Sequence, residues 1–147
     1  QGFVDKRGLS TWMLRRSELP SFADILKPSV ISAELAVRVA NSFDRPSPAF
    51  QRSAPYVSSF GDGVRALGLK RDSQWTGVLV QRGRDLLDLA LHPQYLDDLG
   101  ILIWAATELS WEIRLMHQVD EDPLCEVLTR VGFRMESRAR EMVKVTA

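Results

Sequence analysis

The chain has 147 residues, the length of one ordinary domain, enough to bury roughly two thirds of the surface its unfolded form exposes. Lys and Arg total 19 and Asp and Glu total 19, so the formal net charge is zero and no global field draws the chain to nucleic acid or to an anionic membrane. The single cysteine, Cys125, excludes an intrachain disulfide, and beside two histidines, His92 and His117, it makes a poor metal set; no metal is expected, and a reducing, cytoplasmic setting fits best.

The first residues, QGFVDKRG, lack an initiating Met and an apolar signal core, so they read as an internal or engineered start rather than a targeting peptide. One domain of a longer chain is therefore an expectation. Residues 8–15, GLSTWMLR, place Leu9, Trp12 and Leu14 among β-favouring neighbours and predict a strand. Ser17 is a candidate N-cap with Pro20 in the first turn of a helix, which Pro28 stops near Lys27. A second helix is predicted from Ser29 or Ser32 to about Ser42, with Ile31, Leu35, Val39 and Phe43 recurring every four positions as a core-facing stripe.

Residues 44–55, DRPSPAFQRSAP, read as a surface loop. A short strand is predicted over residues 56–60, then a turn at Gly61, Asp62 and Gly63, then strands over residues 64–70, 75–81 and 86–92. Only short turns separate these runs, which requires antiparallel pairing and so a meander. Residues 99–110 form a helix that is apolar on almost every face, and its uninterrupted apolar run, Leu99–Ala106, is far short of the roughly 20 residues that span a bilayer. Residues 112–118, EIRLMHQ, alternate as a half-buried strand does. Pro123 then opens a short helix ending at Gly132, and residues 133–145 close the chain as a charged strand or hairpin.

The turn between the strand at residues 86–92 and the apolar helix is a natural anion site. The first backbone N–H groups of a helix lack intrahelical partners and sit at the positive end of its dipole. Two stretches around it carry a family signature. Residues 86–95, LLDLALHPQY, are similar to the central strand and "valine-x-proline-x-tyrosine" turn of the GNAT superfamily of acyl-CoA-dependent N-acyltransferases, and residues 128–134, LTRVGFR, are similar to its late helix ending in Gly-Phe. With the element order, the resemblance covers nearly the whole chain. It implies an α+β fold: a mixed, mainly antiparallel sheet of six or seven strands with helices on both faces, splayed near Tyr95.

The resemblance also implies a cofactor, acetyl-CoA or another acyl-CoA, held at the strand end by Leu91 and His92 and at the turn by Gly100, Ile101 and Leu102. The family's turn reads Gln/Arg-x-x-Gly-x-Gly/Ala. Here Asp97 stands where a basic or amide residue is expected and Leu102 where a glycine or alanine is. A carboxylate about 4 Å from a phosphate oxygen repels it by something like 1 to 4 kcal/mol. Either Asp97 or Asp98 caps its own helix and fills the anion site internally, or the turn admits CoA with the aspartates turned to water. On the first arrangement, Asp97→Arg with Leu102→Gly recovers some CoA binding.

Active members commonly use a tyrosine four residues before the Gly-Phe as general acid, and Leu128 stands there. By the same resemblance a base that deprotonates the amine comes from Asp88 on the central strand, or from Asp85, His117 or Glu121. Each has a plainer reading, Asp88 as a solvated strand residue and His117 as a structural histidine. Cys125 reads as a small core residue, and the four tryptophans, Trp12, Trp75, Trp104 and Trp111, as core and edge packing.

Two functions follow. The first is a divergent acyl-CoA-dependent N-acyltransferase acting on a small-molecule or peptide amine. The second is a non-catalytic GNAT-like domain that has lost acetyl-CoA binding and serves a protein partner or a second domain. Neither involves nucleic acid or membrane. A parallel contact between residues 86–92 and 113–118 is the pairing on which the fold assignment rests.

Overall fold

A computed structural model describes residues 3–20, 26–46 and 63–144. The elements are β1 (Phe3–Arg15), a 3-10 turn (Arg16–Glu18), β2 (Ser29–Ile31), α1 (Ala33–Ser42), β3 (Arg65–Arg71), β4 (Gln74–Arg82), β5 (Asp85–Leu91), a second 3-10 segment (Pro93–Asp98), α2 (Leu99–Ala106), β6 (Glu112–Val119), α3 (Leu124–Val131) and β7 (Arg134–Lys144). The strands form one seven-stranded sheet in the order β2-β3-β4-β5-β6-β1-β7. Every pairing is antiparallel except that of β5 with β6. The parallel pair expected between residues 86–92 and 113–118 is present at Leu86 and Leu115, with Asp85 opposite Arg114 beside it.

Alternation along the strands sorts the core into two layers. Leu67, Leu69, Leu79 and Leu89 face one side, where Leu99, Leu102 and Ile103 of α2 and Leu124 and Leu128 of α3 cover them. Ala66, Val78, Val80 and Ala90 face the other, covered by Ala36, Val37 and Ala40 of α1. Helices thus lie on both faces. Small residues on the α1 side let that helix approach the sheet closely, while the leucine side accommodates two helices.

Local chemistry accounts for the helix ends. Ser32 caps α1, its hydroxyl accepting from the Leu35 N–H at 3.0 Å. Gly132 ends α3 with φ 117°, its N–H shared between the Leu128 and Thr129 carbonyls; a side chain there would meet the Glu18 carbonyl oxygen at 2.8 Å. Ser17 does not cap a helix: it lies inside the 3-10 turn, which has no side-chain cap, and the remainder of the expected helix, residues 21–25, lies outside the described residues. So do the expected strand at residues 56–60 and most of the loop before it. Ser29–Ile31, read as a possible helix start, is an edge strand on β3. Trp12 is buried as expected, but Trp111 is 62% exposed.

Candidate functional site at the splay between β5 and β6

Two bulges open the sheet. Along β4, Val80 pairs with Asp88 and Gln81 with Leu86, which leaves Leu87 as an extra residue in β5. Along β1, Ser10 pairs with Gln118 and Trp12 with Leu115, so β6 also carries one residue too many, and His117 adopts φ 58° within that irregularity. A bulge bends its strand and increases local twist. With one in each neighbour at the same level, β5 and β6 part directly after Leu86 and Leu115. The splay therefore begins well before Tyr95, the position expected from sequence, and Tyr95 itself sits in a kink of the following 3-10 segment.

The His92 N–H donates to the Thr76 carbonyl at 2.8 Å, so by alternation the polar groups of Leu89 and Leu91 turn to the opposite edge, into the splay. Asp88 is on β5 at this level and only 2% exposed. It is not a solvated strand residue. Arg45, from the segment after α1, donates through both terminal nitrogens to the two carboxylate oxygens at 3.1 and 3.2 Å, and also to the Leu89 carbonyl at 3.3 Å. The Leu89 N–H donates to Asp88 Oδ1 at 2.8 Å. An arginine thus fills the splay, satisfying strand groups from within.

His117 stands opposite Asp88 by extension of the parallel register, half-buried on β6. Glu121 lies exposed in the turn before α3. Asp85 sits at the closed end, accepting from Arg114 Nε at 2.8 Å; this bond, partly offset by burial, raises the Arg114 pKa above its ordinary value. The Cys125 thiol donates to the Val119 carbonyl at 3.5 Å, and Leu128, at the tyrosine position, is fully buried. At the mouth, between Arg45, Leu91, Pro93, Leu96 and Leu124, is a cavity of about 140 Å³. Small-molecule sites run from about 300 to 1,000 Å³.

At the turn after β5 the side-chain cap expected of Asp97 or Asp98 is absent. Asp98 does occupy the N-cap position of α2, but its backbone is already helical and its side chain makes no cap bond. Its carboxylate instead takes Arg71, with contacts of 2.9 to 3.3 Å. Asp97 faces water, its nearest cation being Arg130 at 3.4 Å. One donor of the turn is taken by the backbone itself. Beyond the kink at Tyr95 the 3-10 segment leads into α2, so the Leu99 N–H already donates to the Leu96 carbonyl, and the segment's own start is capped by His92 Nδ1, which accepts from the Gln94 N–H at 3.1 Å.

Gly100, Ile101 and Leu102 are buried in the core, and Leu102 packs so close to Gly77 that a Cβ there would lie 2.8 Å from its methyl. None of these three side chains carries a donor for a pyrophosphate. Arg45 and Arg71, the partners of Asp88 and Asp98, escaped sequence reasoning because they lie 43 and 27 residues from the aspartates they bind. The one available signal was Asp88 itself, a lone carboxylate inside the apolar run LLDLAL, which demands a buried partner.

No protein-family model and no curated protein matches the chain. Among solved structures it is similar to a functionally unknown conserved protein from Staphylococcus epidermidis, with TM-score 0.63 and 11% identity over 93% of this chain. It is similar also to GCN5-related N-acetyltransferases from Anabaena variabilis (TM-score 0.61, 12% identity, 96% of this chain) and Kribbella flavida (0.57, 13%, 96%). The chain spans 60%, 41% and 59% of the lengths of these three proteins. Its mixed sheet, single parallel strand pair and splay, together with these likenesses, give it the fold of the GNAT superfamily.

Proposed function

We infer that this is a non-catalytic GNAT-fold domain, one that does not take acyl-CoA through the strand-to-helix turn and acts as a binding or structural module toward a protein partner or a second domain. The observation that carries the reading is Arg45, bound to Asp88 and to the Leu89 carbonyl where β5 and β6 part. A reducing, cytoplasmic setting suits a sequence whose single cysteine is Cys125. Among the described residues no helix is long and apolar enough to cross a membrane.

A second reading is a divergent N-acyltransferase that transfers an acetyl or other acyl group to a small-molecule or peptide amine. Its support is the placement of Asp88 and His117 on facing strands of the splay, and the names of two of the similar structures.

Titration with acetyl-CoA and with free CoA, followed by calorimetry and thermal unfolding, separates the two. A ligand at a hundred times its dissociation constant raises stability by about 2.7 kcal/mol. The non-catalytic reading expects no heat and no shift at millimolar CoA. Saturable binding of either compound overturns it and restores the enzyme reading.

A further inference from the structure

A larger depression lies away from the splay, on the flank of α2 where that helix passes over β3. Its volume is about 500 Å³, within the range of small-molecule sites. The floor is apolar, made by the half-buried Trp104 and Ala105 over the buried Leu67 and Ile101, and Val30 of β2, 75% exposed, forms one wall. Apolar area of this kind left open to water is a standing cost that a ligand's own apolar body removes.

The polar groups around that floor are mostly cations: Arg16, Lys27 and Arg65, against one carboxylate, Glu108. Glu108 is mostly exposed and lies 3.7 Å from Arg65, a loose contact. The Arg16 guanidinium sits 5.3 Å from the centre of the Trp104 ring and, like Lys27, has no carboxylate partner among the described residues. Arg65 donates from one terminal nitrogen to the Ala105 carbonyl at 3.1 Å, and its Nε is buried without a hydrogen bond, so a further acceptor would meet its terminal nitrogens. A guanidinium offers five N–H donors, so both arginines retain capacity for an acceptor.

We propose that this groove binds a small amphipathic carboxylate, its headgroup between Arg16 and Arg65 and its apolar body on Trp104, Ile101 and Leu67. An aliphatic or aromatic acid satisfies both halves of the site. A neutral amide of the same shape lacks the charge-assisted bonds that arginine makes with a carboxylate. The groove shares neither the splay nor the 3-10 segment Pro93–Asp98, so it stands whether or not the domain takes acyl-CoA.

Octanoate and octanamide are the probes, titrated into the intact chain by calorimetry with tryptophan fluorescence as the second readout. Octanoate should saturate a single site, with octanamide about tenfold weaker or more. Trp104→Phe should remove most of the fluorescence response. Because Arg65 also caps α2, the diagnostic variant is Arg16→Gln with Lys27→Gln, both exposed positions. It should keep the fold and weaken octanoate without affecting octanamide. The proposal is overturned by any of three results: no saturable octanoate binding, equal affinity for octanamide, or octanoate binding unchanged in that variant. A saturable response to an acidic peptide with none to octanoate also overturns it and assigns the groove to a protein partner.

Discussion

Arg45 and Asp88 form a two-point ion pair at 3.1 and 3.2 Å, with side chains only 8% and 3% exposed, at the place where the sheet divides. Removing one member of a buried pair leaves the other uncompensated, at a cost of about 3 to 5 kcal/mol. The two single variants should differ. Arg45→Ala strands a carboxylate on a rigid strand, whereas after Asp88→Ala the long arginine can swing to water. Arg45→Ala is therefore expected to be the more damaging in urea unfolding, and Arg45→Met with Asp88→Leu to recover most of the loss. Equal, small losses in both singles would show that water already screens the pair.

His117 carries a second sign of what the splay demands. A non-glycine residue in the left-handed region costs roughly 1 to 2 kcal/mol, and a β-branched one more. In an ordinary strand valine outranks glycine. At this position the order should reverse, with His117→Val less stable than His117→Gly by about 2 kcal/mol, read from urea midpoints at constant slope. If valine is the better tolerated, the β6 bulge does not impose that backbone.

Asp85 and Arg114 join β5 to β6 at the closed end of the splay, at 2.8 Å and with about a third of each side chain exposed. Exposure limits the pair to about 1 kcal/mol or less. Its pH dependence has a definite sign. The Arg114 pKa is raised in the fold, so this contribution is fully present below the unfolded pKa and is lost only as pH rises through the folded one, far above neutrality. Arg114→Met should therefore lower stability by the same small amount at mildly acidic and mildly alkaline pH. A loss confined to one side would point to a different titrating group.

Most elements were legible because each carries its own local signal. Ser32 before α1, Gly132 after α3 and the short turns between β3, β4 and β5 all act within a few residues of where they are read. What could not be read depends on distant partners. A one-residue bulge at Leu87 has no sequence mark, since its residue type suits the strand, yet it begins the splay. Asp98 has the composition of a helix cap, and only Arg71, on β3, turns its carboxylate to another use. The charge at the turn was visible, and its consequence was not.

The same distinction decides whether the cofactor turn can be restored. Sequence alone suggests that Asp97→Arg with Leu102→Gly brings it back toward the family pattern. Asp97 is indeed free to change, being exposed and only loosely paired with Arg130. Leu102 is not: it is fully buried against Gly77 and belongs to the main core. Emptying such a site costs about 3 to 5 kcal/mol, and a glycine within a helix adds about 1 kcal/mol. The Leu99 N–H would still be bonded to the Leu96 carbonyl, and Asp98 would still hold Arg71. The double variant should therefore unfold several degrees lower and show no heat with free CoA. Measurable CoA affinity in that variant would mean that charge and bulk at two positions, rather than the Leu99–Leu96 bond and the Asp98–Arg71 pair, keep the anion out.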